Sequence, residues 1–169
     1  TPWCNAGETA AWPRLGEINP VPDDLSAMAQ ACAALPTLDP ELPSAVTHAV
    51  LLRANARRKA GGLDMHSYGS WNAALIDLSL RMAGLGWRNA LCANAYVARD
   101  GEAQAHDGDL EALGTRWPTW QPRLAGFLMG DPLLQVRQDL QRLHQQAIMP
   151  RSQGDLFGSP AAPAPEPPV

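Results

Sequence analysis

"GLDMHSYGSWNAALIDLSLRMAGLGWRN", residues 62–89, is the stretch that decides the fold class. It opens as a glycine-rich turn and continues as an amphipathic helix. Leu75, Leu78, Met82 and Leu85 recur at helical spacing, and Gly84 and Gly86 mark the end. One acid, Asp77, lies inside that helix with Arg81 one turn on, a spacing at which the two side chains meet. Just before it, Ala73, Ala74 and Leu75 stand where an active-site mouth would carry further polar groups.

Working outward, "AVTHAVLLRANARRKAG" (45–61) predicts a strand near 46–52 and a short helix near 54–60, with Gly61 and Gly62 as its stop signal. Downstream, "RNALCANAYVAR" (88–99) predicts a strand over about 89–97, on Ala90, Cys92, Tyr96 and Val97. Strand, helix, glycine turn, helix and strand in that order indicate an α/β layer structure.

The flanks are more irregular. Residues 1–45 are rich in proline and read as loop with at most a short strand, apart from a helix from about 25 to 35 capped by Asp24 and stopped by Pro36. Helices are expected near 109–114, 119–129 and 132–147, the last with Leu133, Val136, Leu140, Leu143 and Ile148 as its apolar stripe. Trp87, Trp117 and Trp120 are expected to pack in this patterned region. The chain thus divides into a domain over 1–148 and a Pro/Ala-rich tail over 149–169, expected to be disordered.

Composition narrows the function classes. With 46% hydrophobic residues the 169-residue chain can build a core. Its net charge of −4 and its single tight basic cluster, Arg57-Arg58-Lys59, argue against a nucleic-acid partner held by phosphate contacts. Cys4, Cys32 and Cys92 are scattered without a CxxC pair, which fits neither a disulfide framework nor a zinc site and suits a reducing cytosol. No apolar run approaches the roughly 18 residues of a membrane span. The first residue is Thr and not Met, so a longer parent protein is expected, cytoplasmic in location. No serine has a GxSxG setting, and no Cys–His pairing is legible, so hydrolase chemistry is disfavoured.

Three segments together, "NAGETAAWPRLGEINP", "LLRANARRKAGGLDMHSYG" and "DLSLRMAGLGWRNALCANAYVARDG", resemble family 2 glycosyltransferases, in particular the bacterial rhamnosyltransferase-like members that build surface polysaccharide. Gly61, Gly62, Leu63 and Asp64 match a Gly-Gly-Phe-Asp-like turn of that family, Asp77 and Arg81 its Asp-x-x-x-Arg helix, and Gly86, Trp87 and Arg88 the next Gly-Trp-Arg turn. The resemblance covers roughly residues 3–135. It implies the C-terminal part of a nucleotide-diphospho-sugar transferase (GT-A-like) fold, an inverting hexosyltransferase activity, a nucleotide-sugar donor and a glycan acceptor. It also implies a divalent metal, Mg or Mn, held by an Asp-x-Asp motif that this chain lacks, so no metal ligand is assigned here. Any peripheral membrane association is expected to run through other parts of the protein.

The resemblance also implies the site residues. An inverting transfer needs a base for the acceptor hydroxyl, and the family places two adjacent acids before the helix Asp. Residues 70–76 contain none, which leaves Asp77 as the candidate base, against a purely structural pairing with Arg81. Asn5, Glu8, Arg14, Asp64, His66 and Trp71 are the candidate substrate contacts; His66 and Trp71 could equally be packing residues. His106 with Asp107 and Asp109 could form a shifted metal-side cluster or a solvated loop. Two rival functions stand beside the enzyme: a catalytically silent glycosyltransferase-like assembly module, and a sliding-clamp-binding protein that uses "SQGDLF" (152–157) in its tail.

Overall fold

The N-terminal residues, read as loop with at most a short strand, supply one short strand of the sheet. In the computed structural model, which describes residues 1–45, 49–100 and 106–149, strand β1 (Pro2–Cys4) pairs in parallel with β2 (Cys92–Val97). Trp3 lies opposite Tyr96 and Cys4 opposite Val97, with an irregularity after Pro2. The Thr1 ammonium donates to the Ala90 carbonyl at 3.1 Å, and the Cys92 N–H donates to the Thr1 carbonyl. Just before β2 the chain bridges antiparallel to Glu41, with Leu42 N–H donating to the Asn89 carbonyl and Leu91 N–H to the Pro40 carbonyl. The predicted strand over 89–97 therefore begins at Cys92.

Six helices accompany this pair among the described residues: α1 (Leu25–Ala34), α2 (Ala54–Ala60), α3 (Trp71–Gly84), α4 (Asp109–Arg116), α5 (Trp120–Gly130) and α6 (Leu134–Ile148). The architecture is mixed α/β, as expected, with a sheet of two strands. The other predicted strand, 46–52, is not formed over residues 49–52, and residues 46–48 lie outside the described residues, as does the tail from 150 onward.

Local chemistry explains the helix ends. The Asp24 carboxylate accepts the Ala27 N–H at 2.9 Å and starts α1. Ser70 does the same for α3 through the Ala73 N–H. Gly61 follows α2 with φ of 81°, a conformation that a side chain would resist.

Three apolar clusters hold the layers together. Trp3, Trp12, Met28, Cys32, Leu91, Leu133 and Leu140 join the sheet to α1 and α6. Tyr68, Ala73, Ala74, Ile76, Leu80, Leu113 and Trp120 join α3 to α4 and α5, and Ala56, Leu78 and Met82 join it to α2. The helix α3 is therefore covered on several sides, and Leu140→Ala or Leu113→Ala would each cost about 2–5 kcal/mol. Trp120 is buried, and Trp87 and Trp117 pack against their clusters as expected. Two stripe assignments need correction: Leu85 and Ile148 are exposed, because each sits at the fraying end of its helix, past the surface its neighbours cover.

Candidate functional site

At the middle of α3, Asp77 is 0% exposed, and both of its oxygens are occupied. Oδ2 accepts from Arg81 Nε at 2.8 Å. Oδ1 accepts from Trp117 Nε1 at 2.9 Å and from the Tyr68 hydroxyl at 3.3 Å, and lies 3.3 Å from Arg116 Nε. A buried carboxylate is stable only with such partners. The same guanidinium of Arg81 donates to the carbonyls of Ala60 and Gly62, so it closes the end of α2 while it neutralises Asp77.

Arg116, the last residue of α4, joins Asp77 to Asp64, whose carboxylate it meets at 3.0 Å. Asp64 also accepts the Ser67 N–H at 3.0 Å. The Ser67 amide and hydroxyl, and then Arg116, pull the Asp64 carboxyl down to about 2. Burial works against the charge on Arg116, but Asp64 and Asp77 outweigh it and raise its pKa. Burial, and then the charge of Asp77, raise that of Tyr68.

A second carboxylate organises the mouth of α3. Asp109, buried at the start of α4, accepts the N–H groups of Gly69 and Ser70 at 2.9 Å each, and the Ser70 hydroxyl as well. Burial pushes its carboxyl upward, but these donors and the nearby His106 hold it below the usual range. The His106 ring lies against Gly69 so closely that a Cβ there would overlap it.

Facing this mouth is the loop over residues 5–19, which two asparagines hold. Asn5 Nδ2 donates to the carbonyls of Asn19 and Arg99, and its Oδ1 accepts the Arg99 N–H at 2.8 Å. Asn19 binds the backbone of Arg14 and Glu17 in turn. The loop projects Glu8 over the mouth of α3. Between them lies a cavity of about 320 Å³ lined by Glu8, Asn72, Ala73, His106, Asp109 and Trp120 among others. Glu8 has no hydrogen bond or ion pair among the described residues, and although its side chain is exposed, the protein around it raises its carboxyl above the ordinary range by burial.

The predicted site residues thus fall into different places. Asp64 and Asp77 meet through Arg116, and Glu8 reaches the cavity. Asn5 is buried in the backbone of its loop, and Arg14 pairs with Glu17 at 2.8 Å. His66 and Trp71 are exposed; Trp71 begins α3 between Ser70 and Asn72, both on the cavity wall. Sequence reading missed Tyr68, Arg116 and Trp117 as partners of Asp77, and the clasp of Asp109 on Ser70. A capping pattern at Ser70 was the available signal for the second.

Among the described residues no group of three or more His, Cys, Asp or Glu side chains is placed to hold a metal. The Asp109 oxygens instead accept from Gly69 and Ser70, and of the His106, Asp107 and Asp109 group only His106 and Asp109 approach each other, at 3.8 Å. No protein-family profile, curated protein or solved structure matches the chain.

Proposed function

We propose that this chain is the acceptor-side part of a family 2 glycosyltransferase-like protein with a GT-A-like fold, moving a sugar from a nucleotide-sugar donor onto a glycan acceptor. The observation that supports it is the cavity at the mouth of α3. The resembled family carries its acids directly before the helix Asp, where this chain has Ala73, Ala74 and Leu75. Here Glu8 brings a carboxylate to the same mouth from the N-terminal loop.

In this reading Glu8 takes the proton of the acceptor hydroxyl. The acceptor oxygen then bonds to the anomeric carbon as the bond from that carbon to the donor diphosphate breaks, and the nucleoside diphosphate leaves. A raised carboxyl suits a base that must hold a proton briefly near neutral pH. Asn72 and His106 offer hydrogen bonds to sugar hydroxyls, and Trp71 offers an exposed face for a sugar ring. Asp77 holds the scaffold: it is fully buried among two guanidiniums, an indole and a phenol, out of reach of an acceptor hydroxyl. Donor and metal have no residues assigned in this chain.

The test is release of nucleoside diphosphate from dTDP-, UDP- and GDP-hexoses with oligosaccharide acceptors. Glu8→Gln should lower turnover at least about a hundredfold in a protein that still folds, whereas Asp77→Asn should lower it only as far as it lowers the folded fraction. Unchanged turnover in Glu8→Gln overturns the assignment. The burial of Ala73, Ala74 and Leu75, together with that of Asp77, favours a second reading, a silent glycosyltransferase-like module. Acceptor binding without turnover of any donor selects it.

A further inference from the structure

The charge of this chain is unevenly placed. Residues 42–99 carry seven Lys and Arg against two acids, Asp64 and Asp77; the rest of the chain carries six against fifteen. Both of those acids are paired with Arg81 and Arg116. Five of the six other cations, all but Arg99, lie on α2 or at the turns that flank α2 and α3. On α2 only Ala56 is buried, while Arg53, Arg57, Arg58 and Lys59 are exposed. The Arg53 guanidinium stacks over the Trp87 ring at 5.6 Å, which brings the exposed Arg88 beside it. None of these five cations forms an ion pair among the described residues. Two leucines flank the Arg53–Trp87 contact, each two residues before one of its partners. Leu51 is 94% exposed and Leu85 54%.

We propose that this face docks on an anionic lipid surface. Arg53, Arg57, Arg58, Lys59 and Arg88 lie against headgroup phosphates, and Leu51 and Leu85 enter the boundary between headgroups and acyl chains. Juxtaposed cations and solvent-exposed aliphatic side chains are what an interfacial binder needs, and each alone would be insufficient. No helix of the described residues is long and apolar enough to cross a membrane, and the proposed contact is made by surface side chains. A nucleic acid would use the cations but leave both leucines in water, and a long polyanion would run onto the acidic remainder of the chain. The face lies on α2 and the turn after α3, away from the cavity wall formed by Ser70 and Asn72, so docking leaves that cavity open.

The experiment is co-sedimentation of the full chain with phosphatidylcholine vesicles, with and without phosphatidylglycerol, at low and high salt. Binding should require phosphatidylglycerol and weaken with salt. The triple variant Arg57→Glu/Arg58→Glu/Lys59→Glu should lose at least about a hundredfold in partitioning, at roughly fivefold for each cation removed. Arg123→Glu on α5, an exposed cation outside this face, should bind vesicles nearly as well as the parent. Leu51→Ser/Leu85→Ser should weaken binding and make the remainder wholly salt-sensitive. All substituted side chains are exposed, and circular dichroism with thermal unfolding identifies any variant that fails to fold. For such a variant, Arg57→Gln/Arg58→Gln provides the same reading with a smaller loss. Equal binding to neutral vesicles, insensitivity to the charge reversal, or preference for a single-stranded oligonucleotide that ignores the leucine changes would each overturn the proposal.

Discussion

Arg81 Nε lies 2.8 Å from Oδ2 of Asp77, one helical turn before it, while the other nitrogens of the same guanidinium hold the last carbonyls of α2 and its turn. One side chain therefore neutralises a buried acid and fastens two helices. Removing Asp77 leaves Arg81 without its counter-charge, and removing Arg81 leaves the buried carboxylate with Arg116, 3.3 Å away, as its one remaining cation. Asp77→Asn and Arg81→Ala are each expected to lower unfolding stability by about 3–5 kcal/mol. Arg81→Lys should recover little, because an ammonium cannot reach the carboxylate and two carbonyls in one plane. Urea unfolding followed by tryptophan fluorescence measures all three, and an Asp77→Asn protein as stable as the parent would refute the structural role.

The pairing of Gly69 with His106 is a separate test of the cleft. Gly69 has ordinary backbone angles, so alanine is excluded there only by the imidazole ring. Gly69→Ala should cost about 1–3 kcal/mol as an overpacked contact. His106→Ala in the same chain should restore most of it, giving a coupling of at least about 0.5 kcal/mol in a double-mutant cycle. Strict additivity of the two changes would mean that the ring does not rest on Gly69.

Acid should loosen the fold in a defined window. The folded pKa values of Asp64 and Asp109 are depressed, Asp64 to about 2, by the Ser67 and Ser70 donors and their cationic neighbours. A depressed carboxyl contributes stability that is fully present above its unfolded pKa and is lost as pH falls through the folded value. Unfolding midpoints should thus hold steady down to the ordinary carboxylate range and fall below it toward about 2. Asp64→Asn should flatten that decline, as read from denaturation curves at successive pH values.

For Glu8 the sign is opposite. Burial raises its carboxyl, so its ionised form is the less comfortable one in the fold and appears only above the ordinary range. If it is the base, kcat/KM rises with pH along a limb displaced upward from that of a free glutamate, and Glu8→Gln removes that limb. A limb that persists in Glu8→Gln assigns the titration to another group.

How much of this was legible in the sequence depends on range. The helices over 54–60 and 71–84 follow from periodicity and glycine stops, which are local, and they were read to within a few residues. The pairing of Asp77 with Arg81 is equally local. Arg116 and Trp117 lie 39 and 40 residues from Asp77, and no periodicity links positions that meet only after α4 folds back on α3. The same holds for the first residues. Trp3 and Trp12 stand in a stretch read as loop with at most a short strand, because their burial comes from β2 and α6, both far along the chain. Glu8 could be named only through the resemblance, since its place over the cavity rests on Asn5 and Asn19 closing their loop.

Arg137 provides the sharpest test of how that N-terminal loop is held. It is buried on α6, its Nε donates to the Ala11 carbonyl at 3.2 Å, and its forked nitrogens grip the Asp131 carboxylate at 2.8–3.1 Å. Its carbon centre also lies 5.9 Å from the Trp3 ring. Asp131 itself has φ of 37°, a conformation that aspartate tolerates at a helix end better than most residues and that the grip of Arg137 helps to fix. Arg137→Ala leaves Asp131 without its cation and Ala11 without its donor, and should cost about 3–5 kcal/mol. Arg137→Lys supplies a charge without the fork and should recover less than half. Because the Ala11 contact belongs to the loop that carries Glu8, either change should also speed amide exchange over residues 5–19 beyond the global loss of stability. Exchange that accelerates uniformly across the chain would show that the loop is held by its asparagines alone.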